Sequence, residues 1–342
     1  MLTVAASSQP DFLTVYEFLN RVWYERHPAG VLMAPLAWLY RGVMWLRRKA
    51  FQTGLIAPYR APVPVVVVGN LSVGGTGKTP LVIWLADYLK SLGYKPGIIS
   101  RGYKGKAKQW PQQVRADGDP AIVGDEAIVI ARRTRLPLAV GPSRAENIQA
   151  LLKHANCDIV ISDDGLQHYR MARDVEILLV DGVRRFGNGK CLPAGPLREP
   201  LSRLRDVDLL VNNGIAGRGE FKMEIKAAGL YPVGKQHSPL ALTEFVGQAV
   251  NAVAGIGNPD KFFDMLRSAG LRVVKHAFPD HHSFEREDLK FEQSLPIIMT
   301  EKDAVKCERF KLENAWYLPI EVEMPQVFEH RLRSALEGVK NG

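Results

Sequence analysis

The sequence predicts an α/β protein in which a parallel sheet carries helices on both faces, with a smaller carboxyl-terminal α/β domain beside it. Two observations predict this class: short, continuous apolar runs rich in β-branched residues, and helical stretches that alternate with them. Such runs are typical of strands buried on both faces, and the alternation is typical of a parallel sheet. A chain of 342 residues also exceeds one ordinary domain, so we expect two domains, or one enlarged α/β domain with an appendage.

The composition excludes several classes of protein. With 46% apolar and 24% charged residues, the chain is not mostly disordered. Its three cysteines, Cys157, Cys191 and Cys307, are too few and too widely spaced for a disulfide framework or a CxxC zinc site, and they fit a reducing compartment. The net charge of +9 favours anionic partners. We expect neither a nucleic-acid partner, because the cations form no stripe interleaved with aromatics in the main body, nor an obligate protein partner.

The amino-terminal segment, residues 1–60, differs from the rest in composition. Residues 31–46 are apolar apart from Arg41 and Gly42, and basic residues follow at 47–49. A secretory signal would have its positive charges first. Sixteen residues are too few to cross a bilayer comfortably, and Arg41 would be costly at its centre.

We therefore expect residues 31–46 to form an amphipathic helix that lies in a membrane interface. Its aromatic residues would sit at headgroup level, and the basic residues would contact anionic lipid. The alternative is an ordinary apolar helix packed on the body of the protein. Pro35 would start or kink a helix in either case.

The predicted elements follow in order along the chain. We expect a larger domain over residues 61–220 and a smaller one over 221–342, separated near the glycine-rich stretch 212–219. In the larger domain the predicted strands are 64–69, 95–100, 136–140, 158–162, 176–181 and 207–212, and the predicted helices are 80–92, 125–133 and 143–154. In the smaller domain the predicted strands are 250–256, 272–276 and 296–300, and the predicted helix is 259–270.

A glycine-rich loop follows the first predicted strand and precedes the first predicted helix. It departs from the phosphate-loop pattern G-x-x-x-x-G-K-[ST] only at Ser72, where the pattern has glycine. Glycines let backbone N–H groups turn towards a phosphate, and the positive end of the next helix supports it. The sequence thus predicts a P-loop nucleotide site; the alternative is a glycine turn with an incidental lysine. The expected nucleotide-binding residues are Ser72, Val73, Gly74, Gly75, Thr76, Gly77, Lys78 and Thr79.

Within this loop, Lys78 is expected to reach the β- and γ-phosphates and the Thr79 hydroxyl to hold Mg²⁺. The chain lacks an Asn-Lys-x-Asp motif, which would specify guanine, so ATP is the expected nucleotide. A carboxylate at a strand end is needed to help place the metal. Asp163 and Asp164 end the predicted strand 158–162, and Asp181 is a rival with the same local pattern.

Three further groups of residues carry alternatives. Asp125 opens a predicted helix, where an aspartate is more often an N-cap than a base. His281 and His282 follow Asp280 and could serve in metal binding or acid–base chemistry, although adjacent histidines do not share one helical face. Arg198, in a proline-rich loop over 193–200, would either neutralise a transferring phosphate or form a surface ion pair.

Taken together, these motifs resemble one family, the tetraacyldisaccharide 4′-kinases of lipid A biosynthesis. The matching stretches are 69–80, 100–103, 123–126, 163–168, 193–199, 278–282 and 300–303. An amphipathic amino-terminal segment also suits this family, and the serine in place of the first loop glycine is the family's own form. The resemblance therefore extends from residue 64 to about residue 306, in addition to the amino-terminal segment.

The resemblance implies transfer of the γ-phosphoryl group of ATP to the 4′-hydroxyl of an acylated glucosamine disaccharide 1-phosphate, giving lipid IVA. It implies a peripheral or monotopic enzyme on the cytoplasmic face of the bacterial inner membrane, in contact with an anionic membrane surface. A membrane-recruited regulatory P-loop ATPase, whose output is assembly rather than a product, is the alternative.

The resemblance also implies roles for single residues. Asp125 resembles the base that acts on the 4′-hydroxyl, and His281 resembles the partner that tunes it, which overrides the N-cap interpretation. Asp163, Asp164 and Glu199 resemble the metal neighbourhood. We also expect closure of the two domains on ATP to bring His281 towards Asp125.

Overall fold

The computed structural model describes residues 18–25, 27–227, 229–234 and 239–340; the first 17 residues of the predicted amino-terminal segment lie outside them. The strands are β1 (Val65–Gly69), β2 (Pro96–Ser100), β3 (Gln112–Gln113), β4 (Leu138–Val140), β5 (Ile159–Asp163), β6 (Val175–Asp181), β7 (Leu209–Asn213), β8 (Phe221–Lys222), β9 (Glu224–Ala227), β10 (Tyr231–Pro232), β11 (Ala249–Ala254), β12 (Arg272–Ala277), β13 (Ile297–Thr300), β14 (Ala315–Leu318) and β15 (Ile320–Glu323). The α-helices are α1 (18–24), α2 (Ala29–Leu32), α3 (Ala34–Gln52), α4 (Lys78–Ser91), α5 (Pro120–Val123), α6 (Asp125–Thr134), α7 (Arg144–His154), α8 (Pro259–Ser268), α9 (Glu301–Cys307) and α10 (Gln326–Lys340). Short 3₁₀ helices occupy Leu201–Asp206, Leu242–Phe245, Glu287–Leu289 and Glu308–Phe310.

The larger sheet has eight strands in the order β3-β4-β2-β5-β1-β6-β7-β8. Its neighbours are parallel except for the antiparallel edge pair β3 and β4. Along β1, Val66 and Val68 face a core built with α4, α6 and α10, whereas Val65 and Val67 face a second core built with α7. This alternation places helices on both faces of the sheet and confirms the predicted fold class.

The smaller sheet has five strands in the order β10-β14-β13-β11-β12, parallel except at β10. Its strands β11, β12 and β13 coincide with the predicted ones to within two residues. The strands β10 and β14 are absent from the predicted elements, and β10, with two residues, is too short to show a periodicity.

The carboxyl-terminal helix α10 packs on the larger sheet, although the predicted division assigns its residues to the smaller domain. Phe328, Leu332 and Leu336 are at most 2% exposed and belong to the core that contains Val66 and α4. The preceding strand β15 pairs with β9 rather than with the smaller sheet. Near residue 320 the chain thus returns from the smaller sheet to the larger one. The division into two domains itself stays a prediction.

The amino-terminal helix α3 begins at Ala34 and has Pro35 in its first turn, so the proline starts the helix rather than kinking it. One face contacts the body: Ala37 is buried, and the Tyr40 hydroxyl donates to the backbone oxygen of Arg198 at 2.9 Å. Elsewhere the helix carries six apolar side chains that are more than half exposed: Leu36, Trp38, Leu39, Val43, Trp45 and Leu46. Of the helices in the described ranges, none has the length and hydropathy to cross a bilayer.

The packing of α10 predicts a pair of contrasting substitutions. Phe328→Ala removes a fully buried ring and should lower the free energy of unfolding by about 3–5 kcal/mol. Val327→Ala, on the 63% exposed neighbour, should change it by no more than about 0.5 kcal/mol. Urea denaturation at equilibrium measures both values, and similar values for the two variants would contradict this assignment of α10.

Candidate active site

The glycine-rich loop joins β1 to α4 at the carboxyl edge of the larger sheet. A Cβ at Gly74 or Gly75 would meet no heavy atom within 4 Å, so a ligand can approach their backbone closely. Gly77 precedes α4 with a φ of 93°, a conformation that favours glycine, and a Cβ there would lie 2.9 Å from Asn213 Nδ2. Thr79 follows in the first turn of α4. This loop has the form that a phosphate-binding backbone requires.

The proline-rich loop over residues 193–200 lies directly against the glycine-rich loop. The backbone N–H of Val73 donates to Pro196 at 2.9 Å, that of Arg198 donates to Leu71 at 2.7 Å, and Ser72 forms a bridge with Leu197. This pairing carries the Arg198 side chain to the edge of the sheet. The ion pair of Arg198 with Asp164 therefore lies beside the glycine-rich loop rather than isolated on the surface.

Asp164 forms ion pairs with two cationic side chains at this edge of the sheet, those of Arg198 and Lys78. Arg198 Nη1 donates to both of its carboxylate oxygens, at 3.1 and 3.0 Å, and Lys78 Nζ lies 3.6 Å from Oδ1. Lys78 also donates to Asn70 Oδ1 at 3.1 Å. Burial would raise the pKa of Asp164, but the charges of Lys78 and Arg198 hold it far below the ordinary value. This carboxylate is ionised and compensated.

Asp163 has the opposite electrostatic environment. Ser100 Oγ donates to its Oδ2 at 3.0 Å, whereas Oδ1 is buried and has no hydrogen-bond partner. Burial, together with the charges of Glu126 and Asp164, raises the pKa of Asp163 to about 6. Leaving a buried carboxylate oxygen unpaired is unfavourable, and a bound cation would satisfy it. The unpaired oxygen thus fits a divalent metal beside the phosphate loop.

Glu199 lies in the same region with different neighbours. Its Oε1 accepts from the Tyr169 hydroxyl, its Oε2 accepts from Gln167 Nε2 at 3.3 Å, and Arg203 Nε lies 3.8 Å away. Among the residues that the structure describes, no three His, Cys, Asp or Glu side chains are grouped so as to hold a metal by themselves. A metal here would rely on further ligands, such as phosphate oxygens and the Thr79 hydroxyl.

Asp181, the rival carboxylate, is satisfied by the protein itself. Its Oδ1 accepts from the backbone N–H groups of Val183 and Arg184, both at 2.9 Å, and its Oδ2 accepts from Lys261 Nζ at 2.9 Å. Because Lys261 belongs to α8, this contact ties the smaller sheet to the larger one. Asp181 is therefore a structural carboxylate.

Asp125 begins α6 and faces the smaller sheet. Gly124, not Asp125, holds the N-cap position, so the N-cap interpretation is wrong. His281 Nδ1 lies 3.0 Å from each Asp125 carboxylate oxygen, and the carboxylate also accepts from the backbone N–H of Glu126 at 2.8 Å. Burial would raise the pKa of Asp125, but the His281 hydrogen bond and the Lys302 charge lower it to about 2. Asp125 is thus an ionised, almost fully buried carboxylate.

His281 reaches Asp125 from a turn that follows β12. Its backbone N–H donates to Gly255 at 3.1 Å, its φ is 59°, and its ring packs on Tyr103 with centroids 4.9 Å apart. His282 turns the other way and pairs with Asp288 at 2.9 Å. The two rings therefore have different partners. His281 and Asp125 are already in contact here, so their meeting requires no closure.

Gly257, which follows β11, lies between this turn and the phosphate loop. A Cβ on Gly257 would come within 3.1 Å of the Gly75 backbone nitrogen and 3.5 Å of Asp280 Oδ2. The Asp125–His281 pair and the glycine-rich loop are thus parts of one site, formed between the two sheets.

Several residues of this site have no role in the sequence-based expectations. Asn70, Ser100, Glu126 and Lys302 all occur within or beside the motif stretches, so their position was a usable signal. Arg144, only 2% exposed, donates to the backbone oxygen of Asp163 at 3.0 Å, and nothing in its local sequence indicates this contact.

Comparison with known proteins is consistent with this geometry. The sequence profile described as tetraacyldisaccharide-1-P 4′-kinase matches residues 29–337. A tetraacyldisaccharide 4′-kinase of Nitrosococcus oceani is 52% identical over 93% of this chain and 94% of its own length. One of Alkalilimnicola ehrlichii is 50% identical over 93% and 96%.

A solved structure shares the fold. The crystal structure of LpxK from Aquifex aeolicus in complex with ATP superposes with a TM-score of 0.76 at 28% identity, covering 90% of this chain and 99% of that one. The sequence profile, the two curated relatives and this structure cover nearly the whole chain. The chain therefore belongs to the tetraacyldisaccharide-1-P 4′-kinase family.

Proposed function

We propose that this chain transfers the γ-phosphoryl group of ATP to the 4′-hydroxyl of a tetraacylated glucosamine disaccharide 1-phosphate, giving lipid IVA. The observation that carries the proposal is the proximity of the Asp125–His281 pair to the glycine-rich loop, through Gly257 and Asp280. A kinase for an alcohol acceptor needs a phosphate cradle and a group that takes the hydroxyl proton, placed together.

On the nucleotide side, the backbone of residues 72–79 would hold the phosphates, and Lys78 would contact the β- and γ-oxygens. Arg198 lies within hydrogen-bond distance of Asp164, so its charge is available at the same edge to neutralise the transferring group. The Thr79 hydroxyl and the unpaired Asp163 oxygen would hold Mg²⁺, with Asp164 and Glu199 as neighbours. When bound, the ion supplies charge neutralisation across the β- and γ-phosphates.

On the acceptor side, Asp125 would take the proton of the 4′-hydroxyl as the new bond forms between that oxygen and the γ-phosphorus. The bond from the γ-phosphorus to the ADP oxygen breaks, so the electrons leave with ADP. A carboxylate with a pKa of about 2 is a weak base. Phosphoryl transfer tolerates this, because its loose transition state depends mostly on positioning and charge neutralisation.

The helix α3 supplies the surface for a lipid acceptor. Its exposed apolar side chains adjoin the exposed Arg47 and Lys49, an arrangement that suits an anionic bilayer. We propose that this helix holds the enzyme on the cytoplasmic face of the inner membrane, where ATP and the lipid meet.

A transfer assay tests the activity. With γ-labelled ATP and the acylated disaccharide 1-phosphate, the label should appear on the lipid. Asp125→Asn should lower turnover by about 10²- to 10⁴-fold, because the proton acceptor is lost, while ATP affinity stays unchanged. Asp119→Asn is the matched control, since Asp119 caps the neighbouring helix α5 and asparagine caps equally well.

Two results would reject these assignments. Release of the label only as inorganic phosphate, stimulated by lipid, would favour a regulatory ATPase. Equal turnover of Asp125→Asn and Asp119→Asn would remove Asp125 from the role of base.

The proposed phosphate-binding role of the glycine-rich loop predicts a contrast between two lysines of α4. Lys78→Ala removes a charged donor from the phosphates and should weaken ATP binding roughly 10- to 100-fold. Lys90→Ala, at the far end of the helix, should leave the affinity unchanged, because Lys90 pairs with Asp87. Titration calorimetry measures the ATP affinity of both variants. An unaltered affinity in Lys78→Ala would exclude the proposed phosphate-binding role of this loop.

The membrane role predicts that charges on α3 weaken lipid binding. The double variant Trp38→Glu and Trp45→Glu should reduce sedimentation with anionic vesicles by about tenfold or more, because two exposed indoles would no longer enter the interface. The matched control carries Ile215→Glu and Val327→Glu, at two residues that are also more than half exposed and lie outside α3. Equal vesicle binding by the two double variants would exclude α3 as the contact surface.

A further inference from the structure

The helix α9 supports the Asp125–His281 pair from the smaller sheet. It begins at the motif over residues 300–303, to which neither nucleotide nor metal binding assigns a role. Thr300 caps the helix by accepting from the backbone N–H of Asp303 at 3.2 Å, and the Asp303 carboxylate accepts from the backbone N–H of Gly255 at 2.8 Å. Since Gly255 also accepts from the His281 backbone, the motif fixes α9 relative to the histidine turn.

Lys302, the central residue of this motif, has three acceptors around its ammonium group. Its Nζ lies 3.0 Å from Glu126 Oε1, 3.1 Å from His281 Nε2 and 3.3 Å from Asp280 Oδ1. A lysine ammonium has three N–H donors and no acceptor, so all three donors are engaged. Burial would lower the pKa of Lys302, but the carboxylates of Glu126, Asp125 and Asp280 raise it above the ordinary value. Lys302 is therefore a charged donor.

These contacts determine where His281 carries its proton. Because Lys302 donates to Nε2, that nitrogen must present a lone pair, and the hydrogen of the neutral ring must be on Nδ1. Nδ1 lies 3.0 Å from both Asp125 oxygens. We propose that Lys302 is a positioning residue that holds His281 as the neutral Nδ1–H tautomer, so that the ring donates to Asp125 and does not itself become protonated. The kinetic part of this inference rests on the proposed role of Asp125 as the base.

Both cationic and anionic groups surround the His281 ring: the cations oppose its protonation, and the carboxylates favour it. Those that face the ring or its turn are Asp125 and Glu126 from α6, Lys302 and Lys306 from α9, Tyr103 and Lys104 from the loop after β2, and Asp280 and His282 from its own turn. A second ring proton, on Nε2, would point at the Lys302 ammonium and repel it. Without Lys302, the nearby carboxylates would favour an imidazolium. The imidazolium would stabilise ionised Asp125 further and make it a poorer proton acceptor.

The test compares two lysine-to-methionine variants in the full-length chain. Lys302→Met keeps the side-chain length but removes the charge and the donors. Lys104→Met is the matched control, because Lys104 is exposed and donates to the backbone oxygen of Asp280 at 3.2 Å. The ¹⁵N resonances of the His281 ring, assigned with His281→Asn, report the tautomer without substrate, and kcat/KM is measured between pH 5.5 and 9.

In the unaltered chain and in Lys104→Met at pH 7, we expect a pyrrole-like Nδ1 and a pyridine-like Nε2. In Lys302→Met we expect the imidazolium signature at pH 7. The acidic limb of kcat/KM should move upward by about one pH unit, so that activity falls about tenfold at low pH and recovers towards pH 9.

An Nε2–H tautomer or an imidazolium in the unaltered chain at pH 7 would overturn the proposal, and so would a Lys302→Met variant whose tautomer and pH profile are unchanged. A loss of activity equal at every pH, with the Nδ1–H tautomer retained, would show a merely structural lysine and would also overturn it. The resonance measurement decides the tautomer even if the chain phosphorylates no acylated disaccharide, so failure of the proposed function remains distinguishable.

Discussion

An ionised carboxylate that is almost fully removed from water must be met by donors, and at Asp125 those donors come from both sheets. The larger sheet supplies the backbone N–H of Glu126, and the smaller sheet supplies His281, with Lys302 and Lys306 behind it. An uncompensated charge of this kind would cost several kcal/mol. The relative position of the two sheets is therefore constrained by the same charge to which we assign the chemistry.

At the proposed nucleotide site two buried carboxylates also need compensation, but the protein compensates only one of them fully. Asp163 and Asp164 are adjacent and both buried, yet their pKa values shift in opposite directions. Asp164 receives Lys78 and Arg198, whereas Asp163 has a hydroxyl donor on one oxygen and nothing on the other. One carboxylate thus orients the cations of the protein, and its neighbour remains available to a cation that arrives with the nucleotide.

The helix α3, which we propose faces lipid, is joined by hydrogen bonds to the loops at the phosphate site. The Tyr40 hydroxyl of α3 donates to the backbone of Arg198, whose guanidinium contacts Asp164 and whose N–H donates to Leu71 before the phosphate loop. The inner face of α3 is thus bonded to the catalytic edge while its outer face is apolar and exposed. This geometry suits a reaction between a soluble nucleotide and an acceptor that stays in a bilayer, because neither substrate needs to leave its own medium.

Local signals determined the elements and the motifs. The valine run of β1, the glycines before Lys78 and the paired aspartates after β5 each depend on neighbours close in sequence, and for that reason they can be read without a structure. Contacts across the chain had no such signal. No local pattern near Asp125 indicates His281, which lies 156 residues away and was paired with it only through the family resemblance. The apolar stripe of α10 likewise does not say which sheet it covers. The N-cap preference at Asp125 failed for the same reason, because Gly124 takes that position and the carboxylate finds its partner on the other sheet. The types of the candidate site residues were thus determined by the sequence, and the family resemblance paired Asp125 with His281. Their distances, their charge states and the hydrogen-bond role of Lys302 were decided only by the tertiary structure, because burial and distance set them.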